Sequence, residues 1–503
     1  MIKTDVIIIG GGATGTGIAR DMALRGIDHC LIEKKDFAAG ATGACHGLLH
    51  SGGRYTVKDQ EAARECISEN MILRRIGKKC VEPTEGLFVR LPGDTIEYRD
   101  QFLDSCRETG ISTELLNASE AFKLVPNLNP ALLEAVKVPD ASIDPFRLCM
   151  LNVVSSKKRG GRIFTHHKVI EITKTRGQCT GVKVLDKFSS EIVEITGKVI
   201  VNASGAWGSQ IAKMAGSDVP MSLSKGSLII ANHRLSNLVI NRLRPSSNGD
   251  IIVPSETVSL AGTTSIHVNN PDNLTTDPDE IDLIRSEAAM MLPDFNNIRL
   301  IRSYTGVRPL LKAAETSTGD RSISRGFQII DHKNGMFSIL GGKLTTYRLM
   351  AEKMTDRIME HFNINEKCTT ADIPLEGQED LSGYPVSKRL GKLENIMCEC
   401  ELVSRSKVKK VIEDTNTKHI GDIQHRTRLG MGPCQGGFCT YRALGMLQEM
   451  DKVTSEESLD TLKRFLQRRY KGSRPLLWGD QLREEQLVEG IYLSLLGMAE
   501  HEI

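Results

Sequence analysis

Apolar residues gather into an unbroken run almost at once, Val6-Ile7-Ile8-Ile9. Consecutive apolar positions without polar alternation predict a strand buried on both faces, as in a parallel sheet. A helical pattern follows from about Ala13 to Arg25, and a second apolar strand, His29-Cys30-Leu31-Ile32, ends at Glu33. These elements predict one βαβ unit. Two later runs, Lys198-Val199-Ile200-Val201-Asn202 and Phe337-Ser338-Ile339-Leu340, each enter a glycine turn and predict returns to the same sheet. Between them the pattern alternates, as in Gly226-Ser227-Leu228-Ile229-Ile230 and Val258-Ser259-Leu260-Ala261-Gly262. Alternation predicts a half-exposed antiparallel sheet, suited to wall a substrate pocket. The fold class expected is α/β: a discontinuous Rossmann-like nucleotide domain with an inserted antiparallel-sheet substrate domain.

Near residue 370 the periodicity breaks, and Glu376 to Lys392 is polar with glycine and proline, which predicts a linker. Short helices are expected over Lys407–Glu413 and Ile420–Gln424, and amphipathic ones over 455–470 and 483–500, separated by Pro475 and Trp478-Gly479-Asp480. The expected division is an oxidoreductase unit over 1–365, with its substrate domain mainly in about 75–150 and 215–320. A linker over 366–395, a cysteine-bearing domain over 396–450 and a helical segment over 451–503 follow. A chain of 503 residues is too long for one core, and 40% hydrophobic with 25% charged residues is ordinary globular composition. A formal net charge of +2 gives no support to nucleic-acid binding. No apolar run approaches the roughly 20 residues that span a bilayer. A strand beginning at Val6 leaves no room for a signal peptide, so a cytoplasmic chain, peripheral on the inner face of the membrane, is expected.

Candidate chemistry begins at Gly10-Gly11-Gly12-Ala13-Thr14-Gly15, which fits G-x-G-x-x-G directly after a strand and opening a helix. Gly10 permits the tight turn, Gly12 lets the backbone approach a pyrophosphate, and Gly15 lets helix and strand pack closely. The helix N-terminus then offers unpaired N–H groups to the phosphates, and Glu33 offers a carboxylate to a ribose. The spacing alone allows FAD or NAD. FAD is favoured by a second glycine turn opening a second helix, Gly341-Gly342-Lys343-Leu344-Thr345-Thr346, whose N-terminus could stabilise negative charge on a reduced ring. It is favoured again by the small, polar segment Gly40 to Gly47, long enough to wrap an extended cofactor. The candidate cofactor-binding residues are Gly10, Gly12, Gly15, Glu33, Thr42, Gly43, Gly205, Gly341, Gly342 and Thr345.

The twelve cysteines divide in two. Cys30, Cys45, Cys66, Cys80, Cys106, Cys149, Cys179 and Cys368 are scattered singly and read as small buried hydrophobes. Cys398-Glu399-Cys400 and Cys434-Gln435-Gly436-Gly437-Phe438-Cys439 form C-x-C followed by C-x4-C, two close pairs able to bring four thiolates together. Four thiolates suit a [2Fe-2S] cluster or zinc, and zinc prefers C-x2-C in both pairs. Arg426 and Arg428 could offset a cluster's negative charge, or lie solvated on the surface.

On these residues the sequence resembles the FAD-dependent glycerol-3-phosphate dehydrogenases, a branch of the D-amino-acid-oxidase-like flavoproteins. The matching segments run in the family's order: Ile8 to Gly15, Gly47 to Tyr55, Ser224 to Ser227, Gly262 to Thr264, Tyr304 to Leu310 and Gly341 to Arg348. The cysteine module resembles the [2Fe-2S] domain of bacterioferritin-associated-ferredoxin type, and with it the whole chain is similar to the A subunits of anaerobic glycerol-3-phosphate dehydrogenase. The resemblance implies oxidation of sn-glycerol 3-phosphate to dihydroxyacetone phosphate, with hydride transfer to FAD. It implies that electrons leave through the iron–sulfur cluster to two partner subunits, one a flavoprotein and the other a membrane-anchored iron–sulfur protein, and so to the quinone pool. It implies a phosphate site at Arg54, Arg308 and Arg325, with Lys343 near the flavin. His50, before the Gly52-Gly53-Arg54 turn, is the first candidate for the base and Lys343 the alternative. Leu228 stands where the aerobic branch carries a histidine, so no base role carries over to it. Two other readings stay open: a dehydrogenase of a 2-hydroxy acid or amine, and a non-catalytic electron-transfer flavoprotein.

Overall fold

The chain is described from a computed structural model, in residues 2–272, 274–311, 326–377, 395–414 and 416–498. Its central sheet runs in the order Arg162–Phe164, His29–Ile32, Val6–Ile9, Val199–Asn202, Met336–Gly341 and Phe327–Asp331, parallel except at the last strand. The unbroken apolar runs are buried at every position because both sheet faces are covered. Val6, Ile8, Leu31, Val199 and Val201 face one way, toward Ile18, Met22, Tyr347 and Met354 of the helices Ala13–Leu24 and Tyr347–Phe362. Ile7, Ile9, Cys30, Ile32 and Ile200 face the other way, toward Val182, Val184 and Ile195 of a small four-stranded sheet. Each fully buried aliphatic side chain contributes about 1.5–3 kcal/mol of transfer free energy, so the two-sided burial makes this sheet the rigid floor of the molecule.

A second, nine-stranded sheet takes strands from both expected substrate-domain segments, among them Gly86–Arg90, Glu134–Val138, Met221–Ala231 and Val258–Gly262. Leu300–Leu311 pairs antiparallel with Met221–Ala231 along nearly its whole length. The alternating segments are not half-exposed: Val258–Gly262 is buried throughout, as is Met221–Ala231 from Ser224 onward. Helix Pro278–Met291 covers one face, packing Ile281, Ile284 and Ala288 on Ile229, Ala231 and Ala261. The serines that made the pattern alternate are buried with partners; Ser227 Oγ donates to Glu280 Oε1 at 2.8 Å. Alternation recorded polarity here, and hydrogen bonding made that polarity compatible with burial.

Of the expected linker, residues 366–377 pack on the nucleotide domain. Arg20 donates to the Ile373 carbonyl, Leu375 is buried, and Glu376 pairs with Arg159 at 2.6 Å. Residues 378–394 lie outside the described residues. The C-terminal module has its own core, where Val403, Val408, Ile423, Leu447 and Leu466 meet. Its helices span Arg405–Glu413, Ile420–Thr427, Cys439–Glu449, Ser455–Ser473 and Gly479–Gly490, the last continued by a π-helical turn, Ile491–Leu495. Among the described residues no helix is long and apolar enough to cross a membrane. Six of the scattered cysteines are buried as expected, whereas Cys45 and Cys368 are partly exposed.

Arg426 and Arg428 neither face solvent nor turn toward the cysteines. Arg426 makes a two-pronged ion pair with Asp36 at 2.8 and 2.9 Å, and His425 Nδ1 lies 2.7 Å from the same carboxylate. Arg428 bridges Asp144 of the nucleotide domain and Glu401 of the module at 3.3 and 3.0 Å. Burial pushes the Asp36 carboxyl up, but Arg426 and His425 outweigh it and leave it below the usual carboxylate range. Asp36→Ala therefore strands a buried guanidinium and should cost about 3–5 kcal/mol, read as a lower urea midpoint for the module's release. Asp36→Leu combined with Arg426→Met should recover most of that loss. Since the folded Asp36 value lies below the unfolded one, its contribution is full above about pH 4 and is lost as pH falls through the folded value.

Candidate functional site

A cavity of about 1200 Å³ opens between the two large sheets, and the glycine turn after Val6–Ile9 forms one end of it. Gly10 has φ +118°, and a Cβ there would lie 2.4 Å from the Ala203 carbonyl oxygen, so the turn requires glycine. Gly12 caps helix Ala13–Leu24 without a side-chain hydrogen bond, and a Cβ on it would meet only Thr42 Oγ1, at 3.1 Å. That leaves a helix N-terminus, with no acidic residue in its first turn, facing open cavity. The Glu33 carboxylate accepts from the Gly11 and Lys35 N–H groups at 2.7 and 2.8 Å and lines the cavity, while burial pushes its pKa up. An anion cradle and an anchored carboxylate at the neighbouring strand end are the features a dinucleotide's pyrophosphate and ribose require.

Gly10, Gly12, Glu33, Thr42, Gly205, Gly341 and Gly342 all line this cavity, as do His50, Lys343, Arg54 and Arg308. Gly15, Gly43 and Thr345 stand behind this lining and not in it. A Cβ at Gly15 would lie 1.9 Å from the Gly10 carbonyl oxygen, and one at Gly43 would lie 2.3 Å from that of Ala38, so both serve close backbone packing. Thr345 is fully buried, and its hydroxyl accepts from the His50 N–H at 3.0 Å. It positions His50 from behind. Arg325 lies outside the described residues.

At the far end the basic groups converge. Arg54 is held by Asp250 at 2.6 Å and by Asn241 Oδ1 at 3.1 Å. Arg308 donates to the Thr264 carbonyl at 3.1 Å and to the hydroxyls of Thr263 and Ser224, neutral oxygens that aim the guanidinium. His46 lies within the field of both arginines: burial first, then Arg54 and Arg308, push its imidazole down to about 3. It is neutral at physiological pH, and its Nδ1 accepts from the Leu48 N–H at 3.2 Å, which places the ring proton on Nε2. His50 packs edge-on to His46 with ring centroids 5.9 Å apart, and tilted against Tyr55 at 5.3 Å. Lys343 Nζ stands 5.3 Å over the Tyr55 ring and 3.9 Å from Glu65. Sequence reasoning does not find His46, Tyr55, Asp250 or Asn241. The first two lie inside segments already singled out; nothing in one sequence marks the last two as neighbours of Arg54.

In the C-terminal module the four cysteines meet as two pairs. Cys398 neighbours Cys439, and Cys400 neighbours Cys434. Within each pair the neighbouring thiol and burial push Cys439 and Cys400 up, while the neighbouring thiol pulls Cys398 and Cys434 down. The backbone at Glu401 and Gly430 favours the Cys398 thiolate, and that at Gly436 and Gly437 the Cys434 thiolate. Among the described residues the one set of three potential ligands within 4.8 Å of one another is His166, His419 and Asp422, so no three of the four sulfurs are that close. A single tetrahedral zinc, with Zn–S near 2.3 Å, would draw all four sulfurs to within about 3.8 Å of one another. Two separate pairs instead fit a cluster with two metal ions, each held by one pair.

The comparisons with known proteins agree with both sites. Residues 5–356 match the family model FAD dependent oxidoreductase, and residues 396–449 match BFD-like [2Fe-2S] binding domain. The chain is 42% identical to the A subunit of anaerobic glycerol-3-phosphate dehydrogenase from Escherichia coli (strain K12), over 99% of this chain and 98% of that one. It is 40% identical to the A1 subunit of the enzyme of the same name from Haloferax volcanii, over 98% and 91%. Among solved structures it resembles glycerol-3-phosphate dehydrogenase from Bacillus halodurans complexed with FAD, with TM-score 0.68, 22% identity, and coverage of 95% and 96%. The two-domain match, and identity at this level over nearly the full length, place this chain in the FAD dependent oxidoreductase family, among the A subunits of anaerobic glycerol-3-phosphate dehydrogenase.

Proposed function

We propose that this chain oxidises sn-glycerol 3-phosphate to dihydroxyacetone phosphate and passes the electrons through its cysteine module to partner subunits and the quinone pool. The observation that carries this reading is the convergence of Arg54, Arg308, His50 and Lys343 on the cavity that the glycine cradle opens. When bound, FAD accepts the hydride from the middle carbon, and a [2Fe-2S] cluster carries electrons onward singly. Gly10, Gly12, Glu33 and Thr42 would hold the first cofactor, and Cys398, Cys400, Cys434 and Cys439 the second. Arg308 and Arg54 bind the phosphate dianion, Arg54 oriented by Asp250 and Asn241. Neutral His46 adds an Nε2–H donor without adding charge. His50, held from behind by Thr345, takes the hydroxyl proton, with Lys343 the second candidate. Relatives that are named as one subunit of an enzyme support a complex with further subunits, here a second flavoprotein and a membrane-anchored iron–sulfur protein, at the inner face of the membrane.

An anaerobic visible spectrum of the purified chain tests the reading directly. Flavin bands bleached by glycerol 3-phosphate, and not by glycerol, lactate or an amino acid, are expected. Bands left oxidised by glycerol 3-phosphate and bleached by a 2-hydroxy acid or an amine would move the substrate to that class.

Arg308→Ala should raise KM for glycerol 3-phosphate about tenfold to a hundredfold, the loss of a charged hydrogen bond of roughly 1.5–3 kcal/mol. Gly12→Val, which fills the cradle, should yield folded protein without bound flavin by absorbance. Cys434→Ser should lose the cluster's iron while bleaching by substrate continues, and reduction of a one-electron acceptor should fall.

A further inference from the structure

Strand Leu300–Leu311 carries two functions on one face. Its side chains alternate, so Arg302, Tyr304, Gly306 and Arg308 share a side over about 20 Å. Arg308 reaches into the cavity. At Gly306 the strand passes so close to the cavity loop that a Cβ would lie 2.5 Å from the Ala44 carbonyl oxygen. Tyr304 donates its hydroxyl to the Cys45 carbonyl of that loop at 2.9 Å. Arg302, the last of the four, reaches out of the second sheet into the cysteine module. There it donates to Gln435 Oε1 at 3.4 Å, next to Cys434, and to the Arg468 carbonyl at 3.1 Å.

The charges around Arg302 do not balance. Among the described residues it makes no ion pair with a carboxylate, and two further arginines crowd it. Burial, then Arg468, then Arg469, push its guanidinium down to about 10. Arg468 is exposed and turns its guanidinium toward His425, 3.4 Å from Nε2. Arg469 spends its charge on Glu485 at 3.1 Å and points its other donors at the carbonyls of Cys434 and Gln435. A partly buried arginine among arginines is unfavourable unless something anionic sits beside it. The four thiolates with their two irons are that anion: the assembly is negative when oxidised, and each reduction adds one further negative charge. Arg426 and Arg428 cannot serve, because Asp36, Asp144 and Glu401 already neutralise them.

We infer that Arg302, supplied by the strand that walls the substrate cavity, sets the reduction potential of the [2Fe-2S] cluster held by Cys398, Cys400, Cys434 and Cys439. A fixed positive charge beside the cluster favours its reduced form, raising the potential so that electrons leave the reduced flavin for the module. The cluster takes one electron at a time from the two delivered with the hydride; no bond forms or breaks and no proton moves. Because the charge comes from the second sheet and not from the module, the cluster has its working potential only while the module is docked. This inference rests on the proposed cofactor assignment of the module.

The test is an anaerobic redox titration of the full chain, with the cluster followed by electron paramagnetic resonance and the flavin by absorbance in the same samples. Arg302→Gln should lower the reduced-to-oxidised ratio of the cluster about tenfold at fixed ambient potential, a shift of about 59 mV for a one-electron couple. The flavin potential should stay where it is, and Arg302→Lys, which keeps the charge, should restore most of the shift. A cluster potential unmoved in Arg302→Gln, with iron and sulfide content retained, would overturn the inference. Loss of the cluster in Arg302→Gln and Arg302→Lys alike would overturn it in favour of a packing role. If Arg302→Gln alone does not assemble, Arg302→Met removes the charge in its place, and a cluster potential in that variant equal to that of the unaltered chain would overturn the inference too. Absence of iron and sulfide from the unaltered chain would instead sink the cofactor assignment, a different failure.

Discussion

Asp36 and Asp144 stand at the edge of the nucleotide domain, and each places a buried negative charge where the cysteine module docks. Arg426 answers the first and Arg428 the second, with His425 stacked on Phe146 at 4.5 Å between them. Pairs of this kind are poor sources of net stability, since taking both charges out of water costs about as much as their attraction returns. What they supply is a penalty for any other arrangement. A module shifted by one helical turn would part Asp36 from Arg426 and leave Arg428 only its own Glu401. The docked geometry is therefore specified by charge, while the module's own apolar core keeps it folded.

Everything that couples the two halves of the chemistry depends on that docking. The strand Leu300–Leu311 is a single rigid rod in the second sheet, paired along nearly its whole length with Met221–Ala231. Because a strand repeats every two residues, one face can present Arg308 to the substrate cavity and Arg302 to the cysteine loop without any intervening flexible segment. The distance between the two sites is set by backbone geometry, and their relative charge by which residues fall on the even positions.

Legibility in the sequence followed sequence distance. The first βαβ unit, Gly10, Gly12 and Glu33 lie within one contiguous stretch and work through local backbone geometry, so their spacing is enough to read them. The four cysteines are legible as one set for the same reason, but which thiol neighbours which is not, because the structure matches them across the two sequence pairs. Alternation in Val258–Gly262 misleads: it predicts exposure, whereas Ser259 and its neighbours are buried among hydrogen bonds that a sequence does not display. Arg426 and Arg428 suggest themselves as cluster neighbours because they are close to the cysteines in sequence, and their true partners, Asp36 and Asp144, are hundreds of residues away. Asp250 and Asn241, which aim Arg54, are equally remote.

The sequence by itself determined the fold class, the cradle for a dinucleotide, the set of four thiols and the family, because each is written in short spacings or in a long run of similarity. Only the tertiary structure decided which charges meet. It placed Arg54 and Arg308 around a neutral His46, moved Thr345 from the cavity wall to the back of His50, and carried Arg302 out of its own domain to the cysteines. The physical reason is that electrostatic interaction depends on distance and burial in space, and a charge's nearest neighbours after folding bear no relation to its neighbours along the chain.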